Sequence, residues 1–249
     1  VDRLVVGAML GIAALGQYAF AVSVASLGLS AALIVRTVVF PDVYGRLARE
    51  DPGLITRAHL ENTIRPFVLF LSPLLGGGAL LLGPLTALLL PQFEASAQPA
   101  AVFVFTGVAQ GVVSLAMLAV VAARQQKLVP LFTLAALLVN AGLAAASLAL
   151  GLGMIGLAAG AVVGRLAYAF GVLAIVARAT GTAPMALAFR ILWPIAWCAA
   201  VTFAVVLTFA PRDLEALVWA LAAYALGTAP VLLLLARTLW RLRRTAGGT

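Results

Sequence analysis

Residues 156–170 read GLAAGAVVGRLAYAF, an apolar stretch of small side chains that contains one charge, Arg165. Arg165 is the one charged residue between Leu128 and Ala177. Glycines recur at every fourth position, and this spacing lets two helices approach closely inside a membrane; they are Gly156, Gly160 and Gly164. The stretch predicts a membrane-spanning helix with a single arginine near its middle.

The composition of the whole chain points to the same environment. Of its 249 residues, 64% are hydrophobic and 10% are charged, and the mean hydropathy is +1.15. A soluble domain is about 45–50% apolar and about 25% charged, because a water-soluble fold needs a polar exterior. The surplus of apolar residues predicts a protein whose helices are surrounded by lipid.

Apolar runs long enough to cross a bilayer follow one another along the chain. A spanning helix needs about 20 mainly apolar residues, and charge, proline or glycine separates most of the runs. We therefore predict an all-α polytopic membrane protein with about seven full transmembrane helices. The predicted spans are 18–40, 66–90, 100–123, 128–150, 155–177, 191–210 and 216–236.

Basic residues are concentrated in alternate connections. The connector 41–65 and the tail 237–249 hold four arginines each, and the segments 124–127 and 178–190 hold two bases each. The intervening connections contain just Arg212. Because cytoplasmic loops carry an excess of Lys and Arg, the pattern predicts that these basic connections and the C-terminus lie in the cytoplasm.

The beginning of the chain is too short for a full crossing. If position 41 is cytoplasmic, residues 1–15 provide about 22 Å of helix and open with Asp2 and Arg3. We predict that the chain starts partway through a truncated N-terminal half-helix and forms the later part of a longer protein. The alternative is that Val1 is a genuine start and 1–15 lies at the membrane interface.

Arg165 is the first candidate functional residue. Ten residues of helix from Ile155 place it about 15 Å deep, close to the bilayer midplane. An arginine at that depth costs at least about 2.5–3.5 kcal/mol, so its side chain is expected to face protein or a water-filled cavity. Two hypotheses stay open. Arg165 binds an anionic substrate in a central cavity, or it is tied to nearby polar groups of the protein.

Asp2 and Arg3 are the second candidates, because a completed first helix would place both about half a span deep. The other polar residues have structural interpretations. Arg36 is expected to extend to the headgroups, Gln110 and Asn140 to form interhelical hydrogen bonds, and Glu94 to be exposed on an outer loop. We expect Cys198 to be a buried packing residue and His59 to be a solvated residue of a polar connector.

The chain lacks the motifs of several kinds of enzyme. It contains no GxxxxGK[ST], HExxH, CxxC or nucleophile elbow. The sequence therefore predicts no catalytic residues, no metal and no cofactor, and it favours transport over enzymatic activity.

Several segments resemble bacterial polysaccharide flippases. VDRLVVGAMLGIAALGQYAFA resembles the part of those proteins where an Asp-containing helix leads through a Gly-x-Tyr turn into the next span. VVFPDVYGRLARED resembles their proline-led cytoplasmic connector, and LLLGPLTALLLPQFEASAQPA their long span with its outer turn. LVNAGLAAASLALGLGMIGLAAGAVVGRLAYAF resembles paired helices around a Gly-Ile-x-Gly-Ala-Ala turn. The matching residues are Asp2, Gly7, Gly16, Tyr18, Ala21, Gly153, Ile155, Gly156, Ala158 and Ala159.

The chain is thus similar to the C-terminal half of O-antigen and exopolysaccharide flippases of the multidrug/oligosaccharidyl-lipid/polysaccharide exporter superfamily. The resemblance implies a MATE-like bundle at 1–180, which is the C-terminal transport lobe, and an appended helix pair with a basic tail at 181–249. It implies translocation of a polyprenyl-diphosphate-linked oligosaccharide across the bacterial inner membrane, with the N-terminal half of the same protein as partner. Arg165 and Arg3 would complement the anionic diphosphate.

Other functions fit parts of the sequence. A multidrug exporter is disfavoured by the basic candidates, since cationic drugs favour acidic cavities, and a lipid II flippase of the same superfamily stays open. A membrane glycan polymerase or ligase would need a large outer loop, and the outer connections are short. A structural subunit would use Arg165 for stability alone.

Overall fold

The computed structural model describes residues 2–47, 52–209 and 214–246, and nine α-helices run through these ranges with no strand among them. A π-helical turn, Leu60–Ile64, joins α2 to α3, and a 3-10 turn, Pro91–Ser96, joins α4 to α5. The helices are α1 (Asp2–Leu47), α2 (Pro52–His59), α3 (Arg65–Leu80), α4 (Leu82–Leu89), α5 (Ala97–Ala122), α6 (Val129–Ala149), α7 (Gly153–Thr180), α8 (Pro184–Phe209) and α9 (Leu214–Ala246).

Seven segments of the described chain are long and apolar enough to cross a membrane, which confirms an all-α polytopic membrane protein. The fourth, fifth and seventh begin within two residues of the predicted starts, and the first, second, third and sixth begin earlier than predicted. The segments are Gly11–Val43, Thr56–Leu80, Pro91–Ala122, Gln126–Ala149, Gly153–Ala179, Pro184–Phe209 and Glu215–Arg244.

Helix α5 forms the centre of the bundle. In its most apolar stretch 78% of the residues are buried, against 0% for α6 at the edge, and α1, α3, α7 and α8 surround it. Glycines allow the closest crossing, because the backbones of Gly28 in α1 and Gly107 in α5 are in contact. Gly111, one turn further along α5, packs against Ala32 and Phe67.

The predicted glycine face of α7 packs against α6. A Cβ atom on Gly156 would stand 2.9 Å from the Cβ of Ser147, and one on Gly164 would stand 2.9 Å from the Cβ of Asn140. Gly160 faces Leu143 between them. The four-residue spacing of these glycines therefore gives the close helix contact that the sequence predicted, and the structure shows that α6 is the partner.

Helices α8 and α9 pack on α3 and on each other. The Tyr224 hydroxyl of α9 donates a hydrogen bond of 3.0 Å to the carbonyl of Pro73 in α3. The Trp197 indole of α8 donates one of 2.8 Å to the carbonyl of Gly227 in α9. These bonds connect the last two helices to the rest of the bundle, and the boundary predicted at 180/181 stays a prediction.

The second span lies earlier in the chain than predicted. It starts at Thr56 rather than at residue 66 and ends at Leu80, and α4 is a separate short helix. The prediction was wrong because the charged residues of 57–65 were read as a connector. Those residues are helical and have partners in other helices, so the helix continues through them.

The predicted turn at Gly16 and Tyr18 is also wrong. Helix is continuous there, and the break falls at Gly11, whose φ of 88° favours glycine because a side chain would be strained. A Cβ on Gly7 would come within 3.4 Å of the Leu15 side chain. Eight residues of straight helix span about 12 Å, so the chain bends sharply at Gly11.

The Gly28–Gly107 crossing yields a stability prediction. In Gly107→Ala the new methyl group overlaps the carbonyl oxygen of Ala25, and overpacking of this kind costs about 1–3 kcal/mol. We expect a lower melting temperature in detergent and less protein in the membrane. Gly142→Ala is the control, since nothing lies within 4 Å of its Cβ position. Equal melting temperatures for the two variants would contradict the central role of this crossing.

Candidate functional site

The structure joins two of the predicted mid-span polar residues. Nη1 of Arg165 in α7 donates a hydrogen bond of 3.1 Å to Oε1 of Gln110 in α5. Gln110 stands at the middle of Ala97–Ala122, and Arg165 stands near the middle of Gly153–Thr180. The pair therefore lies at half the height of the bundle, and Gln110 forms the interhelical hydrogen bond predicted for it.

Arg165 projects from a packed face of α7, and yet its side chain is exposed. Residues one turn before and after it, Ala161 and Ala169, are buried, as are Ala158 and Val172 two turns away. Val163, on the opposite side of the helix, is 49% exposed and apolar. The guanidinium thus emerges beside α5 rather than on the apolar side of α7, which indicates an opening between packed helices.

Helix α5 forms one side of this opening. From Pro99 to Val120 it is buried at every position except Gln110, Ser114 and Met117, which are partly exposed. Their spacing places the three on one strip of the helix, and Val121 at the end of α5 is exposed as well. The opening, which we call the α5 cleft, runs from mid-height to the predicted cytoplasmic end. The residues of α5 between Pro99 and Ala109 are buried.

Of the other predicted site residues, the structure places Asn140 near Arg165. Asn140 lies in the middle of α6 against Gly164, the neighbour of Arg165. Asp2 and Arg3 belong to the first turn of α1, and their side chains lie outside the described residues. The structure therefore brings Arg165 together with Gln110. The role of Asp2 and Arg3 in a binding site stays a prediction.

A charged cluster, formed by Arg57, Glu61, Arg65 and Arg190, was not foreseen as a unit. Glu61 pairs with Arg65 at 3.2 Å and also with Arg190 of α8, and Arg57 donates a hydrogen bond to the carbonyl of Thr180 at the end of α7. These contacts connect three spans at the predicted cytoplasmic end. The i, i+4 spacing of Glu61 and Arg65 was the available signal, because it is typical of a helical ion pair.

His59 was expected in solvent, and this expectation is wrong. It is 4% exposed, and its Nε2 lies 3.0 Å from the carbonyl oxygen of Leu115 in α5. Because a carbonyl can only accept, Nε2 carries the proton in this contact. His59 is therefore a buried interhelical donor. Cys198 is buried and Glu94 is exposed, as expected. Glu94 lies in the 3-10 turn Pro91–Ser96, and its location on the outer side stays a prediction.

The geometry of Arg165 suits an anion. A guanidinium has five N–H donors, and in the described part of the chain Arg165 uses one of them, with no carboxylate paired to it. Spare donors in a fork geometry match the oxygens of a phosphate or carboxylate. Comparisons with models of protein families, with curated proteins and with solved structures find no match. The site is therefore interpreted from its own chemistry.

Chemical labelling tests whether the α5 cleft holds water. Arg165→Cys should react several-fold faster than Val163→Cys with a sulfonated, membrane-impermeant maleimide applied to the predicted cytoplasmic face of membrane vesicles. The reason is that the side chain at 165 faces the cleft and the one at 163 faces lipid. The unchanged protein measures background, since Cys198 is buried. Similar rates at both positions would rule out a water-filled cleft.

A double-mutant cycle tests the charged cluster. Glu61→Gln and Arg190→Gln remove the same ion pair, so their effects on the free energy of unfolding should be less than additive. We expect a coupling of about 1 kcal/mol, because these side chains are partly exposed and solvent screens the pair. Melting in detergent at low and high salt provides the measurement. Strictly additive effects would show that the pair does not stabilise the bundle.

Proposed function

We propose that this chain is the C-terminal half of a polysaccharide flippase, with its transport lobe at 1–180. It translocates a polyprenyl-diphosphate-linked oligosaccharide across the bacterial cytoplasmic membrane by alternating access. Its C-terminus lies in the cytoplasm, in agreement with the bases on one side of the chain. The observation that carries the proposal is the exposed guanidinium of Arg165 at mid-height. It donates one hydrogen bond to Gln110, and its other N–H donors have no partner among the described residues.

The charge and position of Arg165 support an anionic substrate. An arginine at this depth costs at least about 2.5–3.5 kcal/mol, so a function that needs a cation at mid-membrane accounts for its presence. A diphosphate offers several oxygens to a guanidinium and binds it more specifically than it binds a lysine. Gln110 accepts from one nitrogen of Arg165, and the other N–H donors of the guanidinium have no partner among the described residues.

The shape of the α5 cleft supports alternating access. The partly exposed positions of α5 lie in its predicted cytoplasmic half, and those from Pro99 to Ala109 are buried, as expected of a carrier whose mid-height site is reached from the cytoplasm. In transporters of this kind one helix bundle rocks against another around a site near the midplane. The resemblance to flippases supplies the second bundle, which would be the N-terminal half of the same protein.

Other lipid-linked substrates also carry the diphosphate that Arg165 would bind. Lipid II also carries a diphosphate, so Arg165 does not distinguish it from an oligosaccharide carrier lipid. A multidrug exporter for cationic drugs is disfavoured, since the one charge that the structure describes at mid-height is positive. The export assay below separates surface glycan from cell-wall synthesis.

Substitutions of Arg165 in the full-length protein test the proposal. We expect Arg165→Gln to reduce surface glycan about tenfold or more, because charge-assisted hydrogen bonds to the substrate are lost. Arg165→Lys should keep part of the activity, and Arg165→Glu should abolish it. Surface glycan is measured by gel and staining, with cell-wall precursor and protein abundance followed in parallel.

Arg178→Gln is the matched control for this assay. Arg178 is an exposed arginine in the last turn of the same helix, and its substitution should leave export unchanged. Normal glycan in the Arg165→Glu strain would refute the proposal. A loss that follows protein abundance in every variant would assign Arg165 to stability instead.

A further inference from the structure

A polar pocket lies at the end of the bundle opposite the charged cluster. We call it the Glu94 pocket, after the glutamate of the 3-10 turn Pro91–Ser96 that lines it. Its volume is about 470 Å³, within the range of about 300–1,000 Å³ that is usual for small-molecule sites. Residues of α1, α3, α4, α5 and α8 complete its wall. A pocket assembled from five helices and a turn depends on the whole fold.

Four polar side chains line the pocket, namely Gln17, Gln92, Glu94 and Gln98. None of them has a hydrogen bond or ion pair to another residue in the ranges that the structure describes. An amide offers two donors and an acceptor oxygen, and an ionised carboxylate accepts several hydrogen bonds. The pocket thus presents donors and acceptors side by side that are not used within the protein.

The charge of the described residues around the Glu94 pocket disfavours an anionic ligand. Glu94 is the single charged residue from Pro66 to Ala123, and none of the described residues that line the pocket is basic. A phosphate would meet a carboxylate without a cation to compensate it, which is unfavourable. The chemistry of the pocket is therefore the opposite of that at Arg165, and it suits a neutral ligand with many hydroxyl groups.

Aromatic packing fixes the position of the 3-10 turn. Phe93 stacks on Phe20 of α1, with ring centroids 4.9 Å apart and an angle of 17° between the rings. Phe20 lies one turn from Gln17, and Phe93 stands between Gln92 and Glu94. The stack therefore sets the separation of the polar groups on α1 and on the turn. Groups held in place before a ligand arrives bind it at a lower entropic cost.

We propose that the Glu94 pocket binds a neutral saccharide. Amide and carboxylate groups pair with vicinal hydroxyls as donor and acceptor, and the alanine, leucine and valine side chains of the wall suit the C–H surface of a sugar ring. The polyhydroxyl character of the ligand follows from the pocket alone. Its identity as a sugar of the exported glycan rests on the proposed function, and the pocket would receive it at the non-cytoplasmic end.

Saturation-transfer NMR on the full-length protein in detergent tests the proposal. The probes are methyl glucoside and the free oligosaccharide released from the surface glycan of the source cells by mild acid. Binding of inorganic pyrophosphate, which has no carbon-bound proton, is measured in parallel by titration calorimetry. We expect a signal from the oligosaccharide, with affinity reduced about fivefold or more by Gln98→Leu or Glu94→Leu as hydrogen bonds are lost. Gln125→Leu, at an exposed glutamine outside the pocket, should change nothing.

The outcomes separate this inference from the proposed function. Saccharide binding should be unchanged in Arg165→Gln, whereas pyrophosphate binding should be lost in that variant and kept in Glu94→Leu. If Arg165→Glu still exports glycan, the proposed function is refuted. If the oligosaccharide still binds in that case, the pocket assignment stands. Absence of signal from both sugars at millimolar concentration, or signals that the pocket variants do not alter, would overturn the assignment. Equal melting temperatures confirm that the variants are folded.

Discussion

The contact between the backbones of α1 and α5 at Gly28 and Gly107 is the constraint on which the bundle depends. Lipid tails are as apolar as leucine, so helices in a membrane associate through close packing and polar contacts rather than through the hydrophobic effect. Two glycines facing each other let α1 approach until the backbones touch. With α3, α7 and α8 on its other sides, α5 becomes the buried centre, and the strip left partly exposed contains Gln110.

Polar groups in the bundle fall into two kinds. Some are bonded to one another or to carbonyls across helices, as Glu61 is to Arg190 and Tyr224 is to Pro73. Such groups hold spans together, because an unpaired polar group in hydrocarbon is costly. Arg165 and the polar side chains of the Glu94 pocket differ, because they line openings and have donors or acceptors that no described residue uses. That difference separates the structural polar groups from the candidate binding groups.

The number of spans and one helix contact were predictable from the sequence, and the ends of several spans were not. The number of spans follows from the apolar runs, and the glycine repeat of α7 correctly indicated a close helix contact, whose partner α6 is known from the structure. The second span was misplaced because Arg57, His59 and Glu61 look like a connector when their partners are unknown. Those partners lie in helices far along the chain, and no local pattern identifies them. The break at Gly11 rather than Gly16 is of the same kind, since both glycines permit it.

What the sequence by itself determined is that lipid surrounds most of this chain and that one arginine stands at the middle of a span, 155–177, that has no other charge. Both follow from residue type and spacing, because the bilayer sets the length and polarity of every span. The tertiary structure decided that Arg165 meets Gln110 beside an opening and that Glu94 shares a pocket with three glutamines from two other helices and its own turn. Such groupings depend on how helices cross, which side-chain packing sets after the spans have formed.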